Sequence, residues 1–142
     1  MINDIITGIS KKLYSTFGEN YSVYVENVEQ YLQKPCFCIT HISTNQQRIS
    51  KQRYISRNLF DILFFASEDE QKKQMYDIAD TMLEELEYID APTNGLLHGT
   101  EMRHEIIDDV LHFFVNYNLV LLKTESTDNK MEQKEINVGV KE

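Results

Sequence analysis

The stretch from Cys36 to Phe65 reads as one long β-hairpin, apolar at its base and basic at its tip, and this limits what the rest of the chain can be. The outgoing strand begins with Cys36, Phe37, Cys38, Ile39 and Ile42, and the returning strand closes with Leu59, Phe60, Ile62, Leu63, Phe64 and Phe65. Between them, Ser43 to Asn58 carries Ile49, Tyr54 and Ile55 as its only large apolar residues. A domain core cannot support a hairpin of that length to its end, and unsupported two-stranded ribbons are marginal in water. The tip is therefore expected to be mobile or to lie on a neighbouring molecule.

Charge points the same way. No acidic residue falls between Glu29 and Asp61, yet that stretch holds Lys34, Arg48, Lys51, Arg53 and Arg57. In the whole chain 23 acids outnumber 14 Lys and Arg, for a net charge of -9. A basic arm on an acidic body attracts acidic partners, and the nearest one is another copy of the same chain. Contacts between unlike surfaces of identical subunits close into a ring or run on as a filament. The same arm, residues 43–58, would also serve a small cytosolic nucleic-acid-binding regulator.

The flanking segments supply a core. Ile2, Ile5, Ile6, Ile9, Leu13 and Phe17 recur every three or four residues, an amphipathic helix stopped by Gly18 and Asn20. Tyr21 to Val25 alternates as a short strand, and residues 26–34 connect it to Pro35. Ser67 with Glu70 forms a capping box. The helix it opens carries Met75, Ile78, Ala79, Met82, Leu83 and Leu86 on one stripe and is expected to end near Tyr88. A turn at Pro92, Asn94 and Gly95 precedes a second hairpin, Leu96–Ile107 and Val110–Lys123, reversed at Asp108-Asp109. Leu111-His112-Phe113-Phe114-Val115 is apolar on both faces, so its strand should lie centrally. The expected class is α+β in the order α-β-β-β-α-β-β, a mostly antiparallel sheet with two helices packed on it. Residues 1–123 form one domain in this reading, and 124–142 an acidic C-terminal segment with only Met131, Ile136, Val138 and Val140 apolar.

With 142 residues the chain can bury about two thirds of its unfolded surface in one core. No apolar run approaches the roughly 20 residues that span a bilayer, and the N-terminus lacks the pattern of a secretion signal, so a cytosol is the expected site of synthesis. Cys36 and Cys38 stand at i and i+2, a poor geometry for a disulfide and too few ligands for zinc, and read as core thiols.

Motifs for catalysis are missing from the sequence: no G-x-S-x-G, P-loop, dinucleotide fingerprint or H-E-x-x-H. His104 and His112 are nearly equidistant from the Asp108-Asp109 reversal and are candidates to meet on one face, with His98 nearby. A metal would need a third ligand and supporting hydrogen bonds, and paired or surface histidines, His41 included, are commoner. Asp128-Asn129-Lys130 and Glu132-Gln133-Lys134 match a bare nuclease D/E-x-K, but lie where no strand would position them. The expectation is a protein with no enzymatic role, no cofactor and no metal.

The entry "KPCFCI", the return "RYISRNLFDILFF", the helix "SEDEQKKQMYDIADTMLEEL" and the closing "DDVLHFFVNYNLVLL" together resemble the small tail terminator, or tail completion, proteins of phage and prophage tail modules in Gram-positive bacteria, including phage-tail-like bacteriocins. The likeness covers roughly residues 1–122. It implies a ring, usually of six subunits, on the last ring of the tail tube, stopping its growth and offering a surface to a collar or head connector and, in contractile tails, to the sheath. Particle incorporation, with no membrane and no specific nucleic acid as partner, would follow. Arg53 and Arg57 match the basic positions of the returning strand, and Phe60, Asp61 and Ile62 the start of its core half. The candidate subunit interface is the basic hairpin (Arg48, Lys51, Arg53, Tyr54, Ile55 and Arg57) against the acids Asp77, Asp80, Glu84, Glu85 and Glu87 and the turn Asp108-Asp109. Ile136, Val138 and Val140 are the candidate partner contacts of the C-terminal segment.

Overall fold

The computed structural model describes residues 1–26, 32–67 and 71–123. Its elements run α1 (Ile2–Phe17), β1 (Ser22–Val25), β2 (Cys36–Arg48), β3 (Arg53–Phe65), α2 (Gln71–Glu85), β4 (Tyr88–Ala91), β5 (Gly95–Ile107) and β6 (Val110–Leu122). The six strands form one curled sheet in the order β1-β2-β3-β6-β5-β4, antiparallel except for β1 beside β2. This is the expected α+β architecture with one strand more. Residues 88–91, read as the end of a helix and a connection, form β4 against the start of β5, with Ile89 opposite Leu97. The apolar stripe of α2 continues to the buried Leu86, which made the helix look longer than it is.

Both helices bury their stripes in one core. Ile5, Ile9 and Leu13 of α1 and Met75, Ala79 and Met82 of α2 meet Phe37, Ile39, Phe60, Ile62, Phe64, Phe113, Val115 and Tyr117 of the sheet. Each large apolar side chain so buried contributes roughly 1.5–3 kcal/mol. Helix α1 lies close on β4: a Cβ at Gly8 would stand 3.1 Å from the Asp90 carbonyl oxygen. At its first turn, Asp4 accepts from the Thr93 and Asn94 backbone N–H groups, both at 2.9 Å, and from the Asn94 side-chain amide. Burial alone would raise the Asp4 pKa, but these donors outweigh it and hold the carboxyl below its ordinary value.

The expected capping box cannot be placed, because residues 68–70 lie outside the described residues. Ser67 gives its N–H and hydroxyl to the Gln74 side-chain oxygen.

The tip of the first hairpin is not an unsupported ribbon. Strand β3 pairs with β6 along its whole length, from Phe64 opposite Leu111 to Arg53 opposite Leu122. The distal half is thus a three-stranded arm, β2-β3-β6, and Lys123 closes it by donating its N–H to the Gln52 carbonyl. A sequence-distant strand supplies the support that the local pattern could not reveal. Strand β6 is central as expected, between β3 and β5.

Cys36 and Cys38 are buried and form no disulfide, and alternation puts them on the sheet face opposite Phe37 and Ile39, outside the helix-covered core. Burial pushes the Cys36 thiol up to about 11.

Candidate assembly surface

The arm presents two different faces. Alternation along β3 puts Tyr54, Ser56 and Asn58 on the face that continues into the core, and Arg53, Ile55, Arg57 and Leu59 on the other. Tyr54 and Ile55, both candidates for the subunit interface, therefore point to opposite sides. Tyr54 is flanked by two cations, the Lys123 ammonium 4.4 Å and the Arg48 guanidinium 5.9 Å from its ring centre. Ile55 pairs with Val120, and Arg53 with Leu122, in a row that leaves Val120 and Leu122 well exposed.

The basic residues are not equivalent. Arg48 folds back on its own turn, donating to the Ser50 carbonyl at 3.1 Å and the Lys51 carbonyl at 2.7 Å. Arg57 donates to the Gln47 side chain at 3.2 Å. Among the described residues no carboxylate lies within ion-pair distance of Arg48, Lys51, Arg53 or Arg57. All four are exposed.

The candidate counter-charges are exposed as well. Asp77, Asp80 and Glu84 share one stripe of α2 at i, i+3 and i+7, with Glu85 beside it. Asp77 is 3.9 Å from Lys73 across one helical turn. Glu87 lies beyond the helix end, 3.4 Å from His98, whose ring stacks on Tyr88. Asp108 and Asp109 both take positive φ, 52° and 62°, the geometry of a two-residue hairpin turn. That turn stands at the far end of the sheet from the basic tip, roughly 40 Å away along β6 at the usual rise per residue. Ile136, Val138 and Val140 lie outside the described residues.

The histidines do not converge. His104 pairs with Phe113 and His112 with Glu105, so the two rings point to opposite faces of the sheet, not to the shared face expected from their spacing. His41 contacts the Thr44 hydroxyl at 2.8 Å. Among the described residues no three His, Cys, Asp or Glu side chains are grouped to hold a metal. His112 instead meets Asp61 at 2.8 Å on the face opposite the helices. Burial raises the Asp61 pKa above its ordinary value, against the lowering pull of His112. Beside this pair the Arg103 guanidinium lies 4.1 Å over the Phe114 ring.

Sequence reasoning missed Val120, Leu122 and Lys123 as arm residues and missed the Asp61–His112 pair. The run Leu119-Val120-Leu121-Leu122, apolar on both faces, was the available signal for the first group. The pair joins residues 51 positions apart and leaves no local signature.

No helix among the described residues is long and apolar enough to cross a membrane. No curated protein matches the chain. A family model described as "Phage tail terminator protein" matches residues 4–129, most of the chain, and the elements it spans are the two helices and six strands described above. The chain belongs to that phage tail terminator family, a family of structural tail proteins.

Proposed function

We propose that copies of this chain close into a ring, six in the reading its family resemblance implies, that caps the tail tube, stops its polymerisation and joins it to a collar, head connector or sheath. In this reading residues 1–123 are the ring-forming domain and 124–142 reach a neighbouring component through Ile136, Val138 and Val140. The observation that carries it is the arm: Lys51, Arg53 and Arg57 stand exposed on it without a carboxylate partner within the described residues.

Exposed ion pairs contribute only about 0.2–1 kcal/mol each, so charge would set register and orientation while apolar residues of the arm supply affinity. The acids of α2 on the next copy, on the helix side of the sheet, are the lateral counter-surface for Arg48 and Lys51. Arg53 and Arg57, on the opposite side, face another component of the tail. Asp108 and Asp109, expected with the α2 acids as a counter-surface for the basic tip, stand at the opposite end of the strands, and in this reading they face the component stacked above or below the ring. Subunits bound this weakly stay monomeric in dilute solution and close on the tube end, where several contacts act at once.

The test is charge reversal, Arg53→Glu with Arg57→Glu. Both residues are exposed, so the circular dichroism spectrum should be unchanged, while tails should be of uncontrolled length or fail to complete. Normal particles from the double variant would show that the arm is not the clasp. Tight DNA binding by the wild type at physiological salt, lost in the variant, would favour a nucleic-acid-binding regulator instead.

A further inference from the structure

Strand β2 is thirteen residues long, but β1 pairs with it only from Cys36 to Ile39. Just past that point the Glu26 carboxylate accepts the His41 backbone N–H at 3.1 Å. From Ile42 to Arg48 every residue is exposed, and among the described residues no strand pairs with this edge. The segment Ile42-Ser43-Thr44-Asn45-Gln46-Gln47-Arg48 contains no Pro, no Lys and only one charge, at its end. Natural edge strands that must stay single are usually blunted by such residues or by cover.

Among the described residues the other side of the arm is open as well. Strand β5 pairs with β6 from Ile107 opposite Val110 as far as Gly99 opposite Tyr117, then leaves it to pair with β4. Gly99 permits that departure: a Cβ there would stand 2.8 Å from the Leu86 carbonyl oxygen and 2.9 Å from a Val115 methyl. Asn118 to Leu122 are consequently paired with β3 alone among the described residues. Val120 and Leu122 are 62% and 57% exposed. The Asn118 side-chain oxygen is buried yet has no hydrogen-bond partner within the described residues.

We infer that the bare edge of β6 (residues 118–122) in one copy pairs with the bare edge of β2 (residues 42–48) in the next, so that the three-stranded arms join into one continuous closed sheet. This rests on the ring reading above and adds its contact. Strands β2 and β6 are each antiparallel to β3 and hence parallel to one another. A neighbour generated by rotation about an axis along the strands keeps that direction, so β6 meets the next β2 as a parallel pair. The two edges are different surfaces of one chain, as a head-to-tail contact requires, and closure of the ring leaves no arm edge exposed. The row Asn45–Arg57–Asn118 crosses the arm on one face. A neighbour's Asn45 amide in that row offers the donor that the Asn118 oxygen lacks among the described residues.

Disulfide trapping reads this contact directly. Gln47 and Val120 share a face and both lie opposite Ile55, so within one copy they are two strand spacings apart, about 9.6 Å, beyond the roughly 7 Å reach of a disulfide. Between paired edges the spacing is about 4.8 Å. The full-length double variants Gln47→Cys/Val120→Cys and Asn45→Cys/Val120→Cys, which between them cover a two-residue shift in register, are assembled into tails and run without reductant. A ladder of covalent multiples of the chain from at least one variant is expected, with each single variant remaining monomeric. Monomers only from both double variants, in chain bound at tail ends, would overturn the edge contact and leave the terminator reading standing. Dimers from a single variant would overturn it in favour of a two-fold contact. Absence of the wild-type chain from purified tails would overturn the terminator reading and this inference together.

Discussion

The Tyr117 phenol donates to the Leu86 carbonyl at 2.7 Å, a bond between central strand β6 and the segment just after α2 that is sealed inside the core. Burial pushes the phenol pKa far up, so the group remains a neutral donor at any working pH. Leu86 also closes the last turn of α2, giving its N–H to the Met82 carbonyl. Replacing Tyr117 by Phe keeps the ring and leaves the Leu86 oxygen without its hydroxyl donor. The expected loss is about 1–3 kcal/mol in urea unfolding, with little change in the spectrum of the folded state.

The same carbonyl limits residue 99. In Gly99→Ala the new methyl would meet backbone at 2.8 Å, and backbone cannot swing aside as the end of a flexible side chain can. Strand β5 or the end of α2 must shift, at an expected cost of roughly 1–3 kcal/mol. The matched control Gly95→Ala has no atom near its Cβ but a φ of 79°. It should therefore lose stability through backbone strain alone, with no displacement of Leu86. Comparison of the two by urea unfolding and by amide exchange at Leu86 and Tyr117 separates crowding from strain.

Where spacing within one element determines structure, the sequence was easy to read. Ile5, Ile9 and Leu13 repeat at helical intervals, and Asp108-Asp109 between two alternating runs marks a tight hairpin, so α1 and the β5–β6 pair were legible. Strand β4 was not, because Tyr88-Ile89-Asp90-Ala91 is too short to signal alone and forms by pairing with Leu96-Leu97-His98. The support of the arm was hidden for the same reason: Arg53 meets Leu122 across 69 positions of chain, and no local pattern announces that pairing. The basic tip was legible as charge. Its edges, bare among the described residues, were not, since an edge is defined by which strands fail to reach it.

Asp61 gives a pH test of the sheet face opposite the helices. Its carboxyl is buried, one oxygen meets His112, and the other has no partner within the described residues. Its folded pKa is raised above the ordinary 3.8. As pH rises through 3.8, the unfolded chain releases this proton first while the folded chain keeps it, so the native state binds more protons and loses stability with increasing pH. That contribution is fully favourable below 3.8 and is lost as pH climbs through the raised value. Asp61→Asn removes the titration while keeping an oxygen to accept from His112. The stability of this variant relative to wild type should therefore increase from pH 3 to pH 5.5 in denaturant titrations. A flat difference would mean that the carboxyl is not held above its ordinary value.

Residues 124–142 offer the last test, because they separate folding from assembly. The core cluster of the described residues runs from Ile5 to Leu119, and the arm is closed at Lys123 by its bond to Gln52. Removing residues 126–142 should thus leave the midpoint of thermal unfolding nearly unchanged. The deleted segment is rich in charge, with Ile136, Val138 and Val140 alternating near its end, a pattern suited to adding a strand to another protein's sheet edge. Truncated chain should therefore fold normally and be recovered less often on completed tails than wild type in a mixed assembly. Equal recovery would assign the segment no part in assembly, and unfolding of the truncated chain would assign it to the core.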